Sequence, residues 1–132
     1  MAVARPASDQ PTDGELEILK VLWRSGPVGL GQICSQLRQD RQVATTTVAT
    51  MLKVMLQKRL VKRTGGPRGY RWSAARSEQA THKRLLQRFV DRVFDGSAHR
   101  LVAHLLKDTT LSDEDRQEIR RMLKTSRPTD RG

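Results

Sequence analysis

The stretch Val43-Ala-Thr-Thr-Thr-Val-Ala-Thr-Met-Leu-Lys-Val-Met-Leu-Gln-Lys-Arg-Leu60, continued by Val61-Lys-Arg-Thr-Gly-Gly-Pro-Arg-Gly-Tyr-Arg-Trp72, decides how this chain is read. In its first part Val48, Met51, Leu52 and Met55 recur at three- and four-residue steps, the period of a half-buried helix. Thr46, Thr50, Lys53 and Gln57 fall on the opposite side, which offers hydroxyls and long donors and no carboxylate. After Leu60 the period changes to two, Gly65-Gly66-Pro67 supplies a turn, and a second short strand runs from Arg68 to Trp72. A helix followed by a tight basic hairpin is the reading head of a winged helix-turn-helix. Between Arg41 and Ser77 there are nine Lys or Arg residues and no Asp or Glu. A stretch of that sign is expected to meet a polyanion.

The upstream residues complete the pattern. Thr12-Asp13-Gly14-Glu15 has the spacing of a capping box, in which the Thr12 hydroxyl and the Glu15 carboxylate satisfy each other's backbone amides. Leu16, Leu19, Leu22 and Trp23 give the helix that follows an apolar stripe, and Gly26-Pro27 ends it. Val28 to Leu30 is a connector in which one residue can pair with the later hairpin. Ile33 and Leu37 mark a second helix from about Gly31 to Gln39. Asp40 to Ala44 turns into the third helix, with Thr45 as its expected cap. The order helix, helix, helix, hairpin is that of a winged helix.

Beyond Ser73–Arg76, a linker, three more amphipathic helices are expected. The first runs from Ser77 to Phe94, the second is capped by Ser97 and reaches Leu106, and the third opens at Ser112 with three acids in its first turn. Each carries one apolar stripe, too little to form an independent core. A second copy is the economical cover, through Leu85, Leu86, Phe89, Val93, Leu101, Leu105, Ile119 and Met122. The alternative is that these helices pack back on the DNA-binding domain. The expected organisation is a disordered tail at 1–11, a winged-helix domain at 12–74, a helical dimerisation domain at 77–124 and a second disordered tail at 125–132. The fold class is mainly α, with the small sheet of the wing.

Composition agrees. The 132 residues suit one domain with a helical appendage, and aromatics at 4% make the core aliphatic. A net charge of +11 points to nucleic acid. No apolar run reaches the length of a membrane span and no secretory leader is visible, so no stable membrane association is expected. The single cysteine, Cys34, suits a reducing cytoplasm. His82, His99 and His104 lack metal-ligand spacing, and neither a phosphate loop nor a nucleophile with a matched base is present. Neither a cofactor nor enzyme activity is expected.

The runs TDGELEILKVLW, TTTVATMLKVMLQKRLVKR and RGYRW resemble the BlaI/MecI family of penicillinase repressors, over about residues 12–124. The resemblance implies a homodimeric repressor that binds palindromic double-stranded operators. In the best-known members a membrane sensor metalloprotease triggers cleavage that releases the DNA. Those members are cut at an Asn-Phe bond, and here His104-Leu105 occupies the corresponding region of a chain that contains no Asn. The same cleavage specificity is therefore not expected.

Recognition-helix residues Thr46, Thr47 and Thr50 are candidates for thymine methyls or hydroxyl bonds, and Lys53 for guanine or phosphate. Thr45 and Thr47 also have capping and packing roles open to them. Arg68 and Arg71 on the hairpin suit phosphate or minor-groove contact. Lys58, Arg59, Lys62 and Arg63 fit either a solubilising rim or direct contact. Tyr70, Trp72 and Trp23 are expected to pack on the core. Two other functions remain open: a winged helix used as a protein-interaction module, and a small-molecule-responsive regulator of another winged-helix family.

Overall fold

The computed structural model describes residues 10–66, 68–108 and 110–125. The expected tails lie outside these residues, apart from Gln10, Pro11 and Thr125, and so does Pro67 of the hairpin turn. The elements are α1 (Asp13–Ser25), α2 (Leu30–Leu37), α3 (Thr45–Gln57), β1 (Val61–Gly66), β2 (Gly69–Ala74), α4 (Glu78–Val93), α5 (Ala98–Asp108) and α6 (Asp113–Thr125). The chain divides into two compact units between Leu85 and Leu86.

The first unit is a winged helix. Thr12 caps α1 in a complete capping box: its hydroxyl accepts from the Glu15 amide at 3.2 Å and its own amide donates to Glu15 Oε1 at 2.9 Å. Gly26 ends α1 at φ 76°, ψ −161°, a conformation that only glycine adopts without strain. The apolar stripes of α1, α2 and α3 close on one another. Ile18, Leu19, Val21 and Leu22 pack with Ile33, Cys34 and Leu37 and with Val48, Leu52 and Met55, all buried. β1 and β2 pair antiparallel from Val61↔Ala74 to Gly66↔Gly69, and they add Val61 and Trp72 to the same core. Gly65 at φ 92° sits so close to the facing strand that a Cβ there would lie 2.6 Å from the Gly69 carbonyl oxygen. Val28 is the expected single strand residue: it exchanges both backbone hydrogen bonds with Trp72, at 3.0 and 2.8 Å.

Two expectations change here. Thr45 does not cap α3. The N-cap is Ala44, in extended backbone and with no side-chain cap bond, and Thr45 is the first helical residue. The second helix is also shorter than expected, Leu30–Leu37, because residues 38–40 close it with turn-type bonds from Gln39 and Asp40 back to Gln36 and Leu37.

The end of α3 is set by two further devices. Arg59 takes the left-handed conformation (φ 65°), and the Leu60 amide reaches back to the Met55 carbonyl at 2.9 Å, as in a Schellman ending. Lys58 beside it is not part of a solvated rim. Its Nζ lies 2.6 Å from Glu15 Oε1, with side-chain exposures of only 9% and 6%. The pair ties the first turn of α1 to the C-cap of the recognition helix. Trp23 packs edge-on against His82 at 5.8 Å and donates its indole N–H to the Arg76 carbonyl at 3.0 Å, so residues beyond the wing complete this unit.

In the second unit α5 and α6 contain no buried residue. Asp95 (φ 52°) and Gly96 (φ 83°) make the corner between α4 and α5, and Ser97 caps α5 through the Arg100 amide at 3.1 Å. Phe94 stacks with Phe89 at 5.7 Å and with His104 at 5.3 Å. Ser112 caps α6 through the Asp115 amide at 3.0 Å.

The buried pair makes a stability test. Lys58→Ala leaves the Glu15 carboxylate buried without its cation and is expected to cost about 3 kcal/mol, the lower end for breaking such a pair. Adding Glu15→Gln to Lys58→Ala is expected to recover much of that loss. Urea unfolding followed by fluorescence of Trp23 and Trp72 measures both, and a Lys58→Ala loss under about 0.5 kcal/mol, the scale of an ordinary surface substitution, would contradict the role given to the pair.

Candidate nucleic-acid interface

Burial of Val48, Leu52 and Met55 turns the opposite side of α3 outward. Thr46, Thr50, Lys53 and Gln57 are all exposed and form one stripe, spread over roughly 60° at 100° per residue. Thr45 and Thr47 flank that stripe, one on each side, and are exposed as well. Their chemistry differs. The Thr50 hydroxyl donates to the Thr46 carbonyl at 2.9 Å, which leaves its methyl and its lone pairs facing outward. The Thr45 hydroxyl accepts from Arg38 Nη2 at 2.7 Å, while Arg38 Nε donates to the Val43 carbonyl at 3.1 Å. Thr46, Lys53 and Gln57 are thus the freest members of the stripe.

Arg38 was not a sequence candidate. It ends α2 and bridges the turn to the first residue of α3, holding the helix-turn-helix angle with two charge-assisted bonds. Only its position, one turn before the third helix, hints at this in the sequence, because a side chain seven residues from its partner leaves no periodic trace.

Alternation along the wing sorts its cations onto two faces. Val61, Arg63, Tyr70 and Trp72 share the face that meets the core, and Lys62 and Arg71 point away from it. Arg63 remains exposed at the end of the inner face, its guanidinium 4.1 Å from the Tyr70 ring centroid and 5.7 Å from that of Trp72. Stacking of this kind holds a cation in place without neutralising it. Arg68 is exposed at the tip. Arg71 is exposed too, but its Nη2 donates to the Pro27 carbonyl at 2.9 Å, so it fastens the wing to the α1–α2 connector and keeps its other N–H groups for solvent or a ligand. Trp72 is buried and Tyr70 half-buried, as expected of residues that pack the hairpin down.

The structure therefore brings Thr46, Thr50, Lys53 and Arg63 to adjoining surfaces of α3 and the inner wing. Lys53 and Arg63 line one cleft between the two elements, together with Leu30, Leu52, Tyr70 and Trp72. The Glu15 carboxylate, which reaches the end of α3, is consumed by Lys58 and the Thr12 amide. The outward face keeps an unbalanced positive charge.

The family model described as penicillinase repressor matches residues 11–125, nearly all of the described chain. The chain belongs to the penicillinase repressor family. It is 23% identical over 114 residues to the penicillinase repressor of Bacillus licheniformis, covering 86% of this chain and 89% of that protein. It is 20% identical over 109 residues to the penicillinase repressor of Staphylococcus aureus, covering 83% and 86%. Among solved structures it resembles a chain of "Structure of reduced AbfR bound to DNA", at 18% identity and a TM-score of 0.44, covering 86% of this chain and 70% of that one. Membership makes the chain a DNA-binding transcriptional repressor. Its relatives are named as repressors and not as enzymes.

The remaining site candidates of the repressor lie in its second unit. Leu86, Phe89, Val93, Leu105 and Met122 are exposed, while Leu85, which closes the first unit, and Leu101 and Ile119 are half-buried. Val102, Leu106 and Leu123 are exposed as well. His104 lies inside α5, with Nδ1 2.8 Å from Asp108 Oδ2, and Leu105 follows it in the same helix. No described helix is long and apolar enough to cross a membrane.

Proposed function

We propose that the repressor binds a palindromic operator as a homodimer, with α3 of each copy in the major groove and the wing against the flanking backbone. The observation that carries this reading is the outward stripe of Thr46, Thr50 and Lys53 on a helix whose other side is fully buried. Thr46 and Thr50 offer methyls and lone pairs to base edges, and Lys53 reaches guanine or phosphate. Thr45 and Thr47 act more through the helix start than through bases. Arg68 and Arg71 serve phosphates, and their role is electrostatic and indifferent to sequence.

Dimerisation is supported by apolar side chains left in solvent: Leu86 is 55% exposed, Phe89 47%, Val93 54% and Met122 58%. Apolar exposure of this kind marks association surfaces. A second copy would cover it and join two reading heads, which raises affinity without new contacts to DNA.

Release by a membrane sensor protease remains part of the reading only in a modified form. The His104–Leu105 bond sits within a hydrogen-bonded helix, and a protease requires extended backbone, so α5 must open locally before cleavage there. A cut anywhere that separates the heads would lower affinity equally well.

Two measurements test the proposal. In a gel-shift or anisotropy titration on the duplex upstream of the protein's own gene, Arg68→Ala is expected to weaken binding to every sequence and reduce the salt slope by roughly one unit per contact per subunit. Thr46→Ala is expected to cost about 1–3 kcal/mol per base contact on the cognate site and little on random DNA. Equal losses on both DNAs for Thr46→Ala would leave base reading to other residues. Separately, Phe89→Glu with Leu105→Glu is expected to give a monomer in sedimentation equilibrium and an operator affinity about 100-fold weaker. A wild-type chain that is already monomeric would remove the dimer from the account.

A further inference from the structure

We infer that the cleft between the recognition helix and the wing is a binding site for a small amphipathic anion, a flat apolar body carrying one carboxylate. The cleft has a volume of about 370 Å³, within the range of small-ligand sites. Its walls are apolar: Leu30 and Leu52 on the helix side, Tyr70 and Trp72 on the wing. Among the described residues the charged groups that line it are Lys53 and Arg63, with no carboxylate beside them. Neither cation has an ion-pair partner among the described residues.

These features select the ligand class. A free phosphate or a duplex backbone would satisfy the cations and leave the apolar walls unused. An uncharged hydrocarbon would cover the walls and strand two cations at the rim. An aromatic carboxylate does both. Its ring lies against Leu30 and Trp72, and its carboxylate is shared between Lys53 Nζ and the N–H edge of Arg63. The guanidinium already rests on the Tyr70 ring at 4.1 Å, so little of its freedom is lost on binding. Arg63 also presents a fixed fork that a carboxylate can meet with two bonds.

The site has a consequence for regulation that rests on the proposed DNA-binding function. Lys53 belongs to the outward stripe of α3, and Arg63 stands where the wing approaches that helix. An anion held between them occupies both cations and fills the space through which the recognition helix and the wing would straddle a DNA strand. Ligand and operator then compete, and the first unit alone suffices for induction, with no bond cut.

Isothermal calorimetry on the full chain at 150 mM salt tests the site without DNA, using 2-naphthoate as the probe and uncharged 2-naphthalenemethanol as its control. The expected result is saturable binding of one naphthoate per chain, at least 10-fold weaker for the alcohol. Lys53→Gln and Arg63→Gln are each expected to lower naphthoate affinity about 10-fold, and Ala49→Met, which fills the cleft, to abolish it. Thermal melting of each variant shows that the fold is kept, and Lys53→Gln, fully on the surface, serves should the others melt early. No saturable binding overturns the site. So does binding of many equivalents that is insensitive to Lys53→Gln and Ala49→Met, which is general attraction of anions to a chain of net charge +11. A duplex titration with and without saturating naphthoate then tests competition: weakened duplex binding is expected. Unchanged duplex affinity, with naphthoate bound, overturns the competition while leaving the site in place. A chain that binds naphthoate and no duplex at all contradicts the proposed function instead.

Discussion

Burial of Val48, Leu52 and Met55 is the constraint from which the rest of the reading head follows. All three are fully excluded from solvent, and their four- and three-residue spacing allows α3 only one orientation on the core. A helix so fixed must present Thr46, Thr50, Lys53 and Gln57 to the outside. Rotating it to hide the threonines would expose three large apolar side chains, each worth about 1.5–3 kcal/mol of burial. The choice of outward face is thus made by the hydrophobic effect, and the polar residues inherit it.

The devices at the two ends of α3 then set its axis. At its start Arg38 bridges the Val43 carbonyl and the Thr45 hydroxyl, which fixes the turn into the helix although the Ala44 N-cap makes no side-chain bond. At its end Lys58 is held by Glu15, the same carboxylate that closes the capping box of α1. One acid therefore serves two elements, and its burial removes a negative charge from the neighbourhood of the interface. The wing is anchored independently, through the Val28–Trp72 backbone pair and the bond from Arg71 to the Pro27 carbonyl. Both anchors come from the short connector between α1 and α2.

Much of this was legible in the sequence where the physics is local. The Thr12–Glu15 capping box, the stop at Gly26 and the caps at Ser97 and Ser112 all depend on a few neighbouring residues, and all are found where expected. The apolar period of α3 likewise names Val48, Leu52 and Met55, whereas that of α1 names Leu19 and Leu22 and misses Ile18 and Val21, which are buried with them while Leu16 and Trp23 are only half-buried. What the sequence did not disclose is long-range. Lys58 looked like any basic rim residue, because its partner lies 43 positions away and a pairing at that distance has no period. Arg63 looked like Arg71, yet strand alternation places them on opposite faces, one over Tyr70 and one bonded to the connector. Thr45 looked like a cap because Thr is a good one; Arg38 captures its hydroxyl instead. In the second unit the apolar residues are plain from the pattern, but their exposure is not: Leu86, Phe89 and Val93 stay in solvent while Phe94 is half-buried.

The repressor's lysines allow the central claim, that the outward side of α3 meets DNA, to be read in one measurement. Brief acetylation with and without the duplex, followed by peptide mass spectrometry, reports each lysine separately. Lys53 is exposed on the stripe, Lys20, Lys83 and Lys124 are exposed on other helices, and Lys58 is buried against Glu15. The account predicts strong protection of Lys53 by DNA, unchanged reactivity at Lys20, Lys83 and Lys124, and slow modification of Lys58 in either state. Equal reactivity of Lys53 with and without bound duplex would contradict it.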